Sequence, residues 1–124
     1  MPNIYLEYTE NIFTTVKTDL FDKISNILIN LTSIKIEHCK YRYMKIRNYH
    51  FGSGNNNQGF IHLEINIIEG RSEYIKNEIK KKLLMLLKNY FTDTNGVDQI
   101  QYSVEIREMQ SDNYETSNSI NTAS

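Results

Sequence analysis

The chain has 124 residues, 14 of them basic and 15 acidic, so its formal charge of -1 gives no overall pull towards nucleic acid or membrane and any anion site must be built locally from a few cations. A 40% hydrophobic content at this length fills one ordinary core, which predicts a single domain over residues 1–109 and a polar tail over 110–124. The lone Cys39 excludes an intrachain disulfide and fits a cytoplasmic setting without a cleavable leader, while the longest apolar run, Leu83 to Leu87, is far below the roughly 20 residues that span a bilayer.

The first element is a half-buried strand over about 3 to 9, in which Ile4, Leu6 and Tyr8 alternate with Tyr5 and Glu7. Val16, Leu20, Phe21, Ile24, Ile27, Leu28 and Leu31 then recur at spacings of three and four, which predicts a helix over about 14 to 31. From Ser33 the pattern turns to Ile- and Tyr-rich runs, Ile34 to Ile36 and Tyr41 to Ile46, with strand spacing. Gly52 to Gly59 reads as a turn or mobile loop; it has no dinucleotide-binding fingerprint.

Ile61, Leu63, Ile65 and Ile67 alternate with Phe60, His62, Glu64 and Asn66, the clearest strand of the sequence, which ends at Gly70. Ser72 is the expected N-cap of a second helix, with Glu73 at its positive end, Ile75, Ile79, Leu83, Leu86, Leu87 and Tyr90 on its apolar face, and Lys80-Lys81-Lys82 on the solvated side. Asn95-Gly96 marks a turn, and Tyr102, Val104 and Ile106 define a last strand. Residues 110 to 119 are polar enough to stay disordered unless another subunit holds them.

The order strand, helix, strand, repeated once, predicts an α+β fold from a duplicated β-α-β unit: a four-stranded mixed sheet with both helices on one face and a parallel pair in each half. The other face, expected to be apolar and Tyr-rich around Tyr41 and Tyr43, then has to be buried between copies of the chain.

The chemistry begins at Pro2. If Met1 is removed, Pro2 carries a free secondary amine at the head of the first strand, a proton acceptor held in a fixed place. A solvated amine stays mostly protonated at neutral pH, but an apolar pocket and nearby cations lower its pKa. The same cations suit a carboxylate or a developing dienolate, and Arg71 precedes a helix N-terminus, where free amides also favour an anion. Lys40 and Arg42 share one face if 40 to 46 is a strand.

Pro2, Glu7, Asn11-Ile12, Leu20-Phe21-x-Lys23, Phe60-x-His62, Gly70-Arg71-Ser72, Phe91 and Glu105-Ile106, in this order and spacing, resemble the 5-carboxymethyl-2-hydroxymuconate isomerases of the tautomerase superfamily, over Pro2 to about Met109. The resemblance implies a homotrimer with active sites near the subunit interfaces, an N-terminal proline as general base, and no cofactor. It also implies a small anionic substrate, an unsaturated dicarboxylate-type acid from homoprotocatechuate breakdown, in which a double bond is moved. Pro2 falls on the family's base and Arg71 on the arginine of its Gly-Arg-Ser turn. Lys40 stands where an arginine is common, and Arg42 matches a second arginine.

Other readings stand beside these. Arg71 can pair with Glu69 or Glu73 at the surface, and Lys40 and Arg42 can be solvated strand positions. His38, Cys39, His50 and His62 match no common ligand spacing, so no metal is expected. Because Lys40 departs from the family pattern, two alternatives stay open: an enol-keto tautomerase for phenylpyruvate-like acids, and a catalytically silent trimeric binding protein of the same fold.

Overall fold

A computed structural model of the protein describes residues 2–54, 57–92 and 96–120. Its elements are β1 (Asn3–Thr9), α1 (Thr18–Leu31), a 3-10 turn (Ile36–His38), β2 (Lys40–Ile46), β3 (Gln58–Ile68), α2 (Glu73–Tyr90), β4 (Gln99–Met109) and a second 3-10 turn (Ser111–Asn113). The sheet order is β2-β1-β3-β4, with β1 parallel to β2, β3 parallel to β4, and β1 antiparallel to β3. Each parallel pair encloses one helix, as the duplicated β-α-β pattern requires.

One face of the sheet meets the helices. Ile4 and Leu6 of β1 and Ile61, Leu63, Ile65 and Ile67 of β3 are buried against Leu20, Ile24 and Leu28 of α1 and Ile79, Leu83 and Leu87 of α2. Each such side chain contributes about 1.5–3 kcal/mol of burial, which is why the sharp alternation of β3 specifies its register so firmly. Ser72 caps α2 as expected, its hydroxyl accepting from Ile75 N at 3.2 Å.

Several boundaries differ from the sequence pattern. α1 starts at Thr18 rather than near 14, because its first turn is fixed from outside: Lys17 N donates to the Tyr90 hydroxyl at 3.1 Å, and that hydroxyl donates to Asp19 Oδ1 at 3.0 Å. Ile34 to Ile36 is not a strand. Thr32 Oγ1 donates to Leu28 O at 2.6 Å and accepts from Ile34 N at 3.1 Å, a side-chain turn that carries the chain out of the helix; Ile34 drops into the core and a 3-10 turn follows. Gln58 and Gly59, expected in the loop, already belong to β3; Asn55 and Asn56 of that loop, and Asn95 of the expected Asn95-Gly96 turn, lie outside the described residues.

The open face is also different in kind from the expected apolar one. Ile4 pairs with Tyr41 and Leu6 with Tyr43, so both tyrosines take the helix side, where their rings lie 4.8 and 5.6 Å from that of Phe21. The opposite face therefore carries Asn3, Tyr5 and Glu7 of β1, Lys40, Arg42 and Met44 of β2, His62, Glu64 and Asn66 of β3, and Ser103, Glu105 and Arg107 of β4. It is polar, with apolar relief from Tyr5 and Met44 and from an aromatic group in which Tyr49 and Phe51 pack edge-on against Phe60.

Candidate active site

The topology gathers the sequence-predicted residues at one end of the sheet. Pro2 leads into β1 and is buried, and its carbonyl accepts from Lys40 N at 3.1 Å, which ties the head of β1 to the head of β2. β3, antiparallel to β1, finishes at this same end. Gly70, with φ +120, then reverses the chain into Arg71 and Ser72, a backbone conformation that L side chains rarely adopt. In the order β2-β1-β3, Pro2 thus stands between Lys40 on one side and the Arg71 turn on the other.

The two cations line separate hollows. Arg71 is half-buried, and its Nη1 donates to Ile68 O at 2.8 Å, which holds the guanidinium beside the start of α2 with its remaining N–H groups available. It lines a hollow of about 370 Å³ with Thr32, Ser33, Gly70 and Ser72. Lys40 is exposed and lines a larger hollow of about 610 Å³ with Glu37, His38 and residues of the C-terminal segment. Arg42 is engaged elsewhere: its Nη1 donates to Asn3 Oδ1 at 2.9 Å, and its guanidinium lies 4.7 Å from the centre of the Tyr5 ring on the open face.

Two groups escaped the sequence reading. Tyr114 and Thr116 to Ser119 line the larger hollow together with His38 and Lys40. Composition gave only their polarity; their position follows from where β4 ends. The second group lies on the open face, where His62, Glu64 and Glu105 offer potential ligand atoms within 4.8 Å of one another. His62 and Glu64 are neighbours on one face of β3, but Glu105 reaches them from β4 through the strand pairing, so no local spacing reveals the group. Arg107 Nε approaches Glu105 Oε2 at 3.1 Å and Glu64 Oε1 at 3.4 Å, and His62 Nδ1 is bonded to Ser103 Oγ at 2.7 Å. The Arg107 hydrogen bond, aided by His62, holds the Glu105 carboxyl below its usual range. The guanidinium thus supplies the positive charge that a cation would otherwise bring to these carboxylates.

Residues 2–123 match the sequence profile of the 5-carboxymethyl-2-hydroxymuconate isomerase family. The chain belongs to that family. No curated protein matches its sequence. Among solved structures, a 5-carboxymethyl-2-hydroxymuconate isomerase from Deinococcus radiodurans R1 is 25% identical, with 94% of this chain and 89% of that one covered and a TM-score of 0.83. A fused 4-OT wild-type symmetric trimer is 12% identical, covers 94% of this chain and 92% of its own, and gives a TM-score of 0.74. A 5-carboxymethyl-2-hydroxymuconate delta-isomerase is 13% identical, with 95% and 88% covered and a TM-score of 0.65. The last two likenesses show that the fold is shared. As a member of the 5-carboxymethyl-2-hydroxymuconate isomerase family, the protein is an isomerase.

Proposed function

We propose that this isomerase uses Pro2 as its general base to move a double bond in an unsaturated hydroxy or oxo acid of the 5-carboxymethyl-2-hydroxymuconate class. Removal of Met1 frees the secondary amine. That amine takes a proton from the substrate, the electron pair shifts along the conjugated chain, and the resulting ammonium returns the proton at a different carbon. Atoms and electrons balance without an oxidant or a cofactor. The negative charge that develops on the substrate is the step to be stabilised, and preorganised cations do this best in a site with little water.

The observation that carries this reading is the position of Pro2: buried, fixed through its carbonyl to Lys40 N, and at the head of β1, which lies in the sheet between β2, led by Lys40, and β3, which runs into the Arg71 turn. Arg71 holds a substrate carboxylate with its free N–H groups, and Lys40 supplies a compact point charge on the opposite side. Arg42, bonded to Asn3 through Nη1 and lying over the Tyr5 ring, offers its remaining N–H groups on the open face as a second carboxylate holder. Replacing Pro2 with alanine leaves a primary amine of different basicity and placement, and turnover should fall by about tenfold or more, or roughly 1.4 kcal/mol. Unchanged turnover would remove Pro2 from the mechanism.

Lys40, standing where the family commonly has arginine, favours a second reading in which the natural substrate is a smaller enol of the phenylpyruvate type. Both readings place three chains around the sites. Supporting the trimer are the family membership, the symmetric trimer among the neighbours of this fold, and the free edges of β2 and β4, which expose backbone donors and acceptors that a second copy can pair. A cytoplasmic location fits the single thiol; no helix among the described residues is long and apolar enough to cross a membrane.

A further inference from the structure

The chemistry proposed at Pro2 leaves residues 110–120 without a part, and their path supplies one. β4 ends at Met109, paired with Ile68. There Glu69 N donates to Met109 O at 2.9 Å and Ser111 N donates to Glu69 Oε2 at 3.0 Å, so the segment begins pinned beside the Arg71 turn. One 3-10 turn follows, closed by Asn113 N donating to Gln110 O at 2.9 Å. By Tyr114 the chain has reached Glu37, His38 and Lys40, at the opposite edge of the sheet.

From β4 to β2 is three strand spacings, roughly 14 Å, and the chain from Met109 to Thr116 reaches roughly 20 Å even with one 3-10 turn. The segment therefore crosses the end of the sheet at which β1 and Pro2 begin, and joins the Arg71 side to the Lys40 side. Its far half then lines the larger hollow. That hollow is lined by Glu37, His38 and Lys40 together with Tyr114 and Thr116 to Ser119 of this segment. The Lys40 cation beside neutral hydroxyl and amide groups suits a carboxylate, with Glu37 the one opposing charge on the lining, and the volume of about 610 Å³ exceeds what a small enol acid fills.

We propose that Thr116 to Ser119 form the specificity wall of the site, binding the carboxylate most distant from the reacting carbons and so favouring polycarboxylate substrates over small monocarboxylate enols. This rests on Pro2 being the base. The test is the full-length variant Thr116→Val/Ser117→Ala/Ser119→Ala, whose changes are all at exposed positions. The ratio of kcat/KM on 5-carboxymethyl-2-hydroxymuconate to that on phenylpyruvate enol should fall by roughly tenfold, through KM rather than kcat. A ratio equal to that of the unsubstituted protein, whether both activities stay or fall together, overturns the proposal. Pro2→Ala assayed in parallel separates the two claims, since failure of the base reading appears there as undiminished turnover of both acids. Should neither acid be turned over by the unsubstituted protein, calorimetric titration with glutaconate decides: roughly tenfold weaker binding by the triple variant supports the wall, and equal binding overturns it.

Discussion

Tyr41 joins β2, and with it Lys40, to α1, so Tyr41→Phe tests how the lysine side of the site is held. The Tyr41 hydroxyl is hydrogen-bonded to Ser25 Oγ, Ser25 is 1% exposed, and the Tyr41 ring packs on Phe21 at 4.8 Å. Phenylalanine keeps the ring contact and leaves the Ser25 hydroxyl buried without this partner, a cost of about 1–3 kcal/mol. For a domain of this size that is roughly 4 °C in Tm per kcal/mol. Ser25→Ala/Tyr41→Phe removes both polar groups and should regain at least about half of the loss, because an apolar pair of similar shape strands nothing and alanine favours the helix. pH adds a second signature. Burial, and after it the Cys39 thiol, push the Tyr41 hydroxyl far above the ordinary value of 10.0. A folded pKa raised in this way contributes stability that is complete below the unfolded value and is lost as pH rises from about 10 towards the folded value. The slope is at most roughly 1.4 kcal/mol per pH unit, and is lessened by solvent screening at a half-buried group. Urea unfolding at pH 7 and pH 10.5, at one fixed protein concentration, measures both effects. Tyr41→Phe should be the less stable protein at pH 7 and lose less on going to pH 10.5. A double variant as unstable as the sum of its singles, or equal alkaline losses with and without Tyr41, would refute the reasoning.

Arg71→Ala should lower kcat/KM on 5-carboxymethyl-2-hydroxymuconate by roughly tenfold to a hundredfold, the worth of a charge-assisted pair, and much less on phenylpyruvate enol; equal losses on both acids would deny that Arg71 holds a second carboxylate. Lys40→Arg should keep or raise activity on the same polycarboxylate, and a sharp loss there with enol tautomerisation intact would show a pocket built around lysine for another substrate. Light scattering at micromolar concentration should report three chain masses; a particle of one chain mass, about 14.6 kDa, would contradict the proposed assembly.

Much of the fold is legible in the sequence because local signals agree there. The alternation of β3, the Ser72 cap of α2 and the repeated strand-helix-strand order all lead to the observed elements and to parallel pairing in each half. Where reading fails, the deciding contact is distant. The start of α1 depends on Tyr90, 71 positions from its partner Asp19, and the faces of Tyr41 and Tyr43 depend on the β1–β2 register. Ile34 misleads because isoleucine suits both a strand and a core, and the Thr32 side-chain turn selects the core. At the site, the sequence singles out Pro2, Lys40 and Arg71, and the topology brings their elements to one sheet end. It does not reveal that the two cations line different hollows, that Arg42 is occupied by Asn3 and Tyr5, or that the tail returns to Lys40. Each of these is set by cross-strand position rather than by neighbours in the chain.

The central claim is that a free amine on Pro2 is the base, and it is tested most directly by assaying two preparations of the same chain whose intact masses differ by Met1. The account predicts turnover of 5-carboxymethyl-2-hydroxymuconate only in the preparation that has lost Met1, since an amide nitrogen at Pro2 cannot accept the proton. Full activity in protein whose mass shows Met1 retained would contradict it.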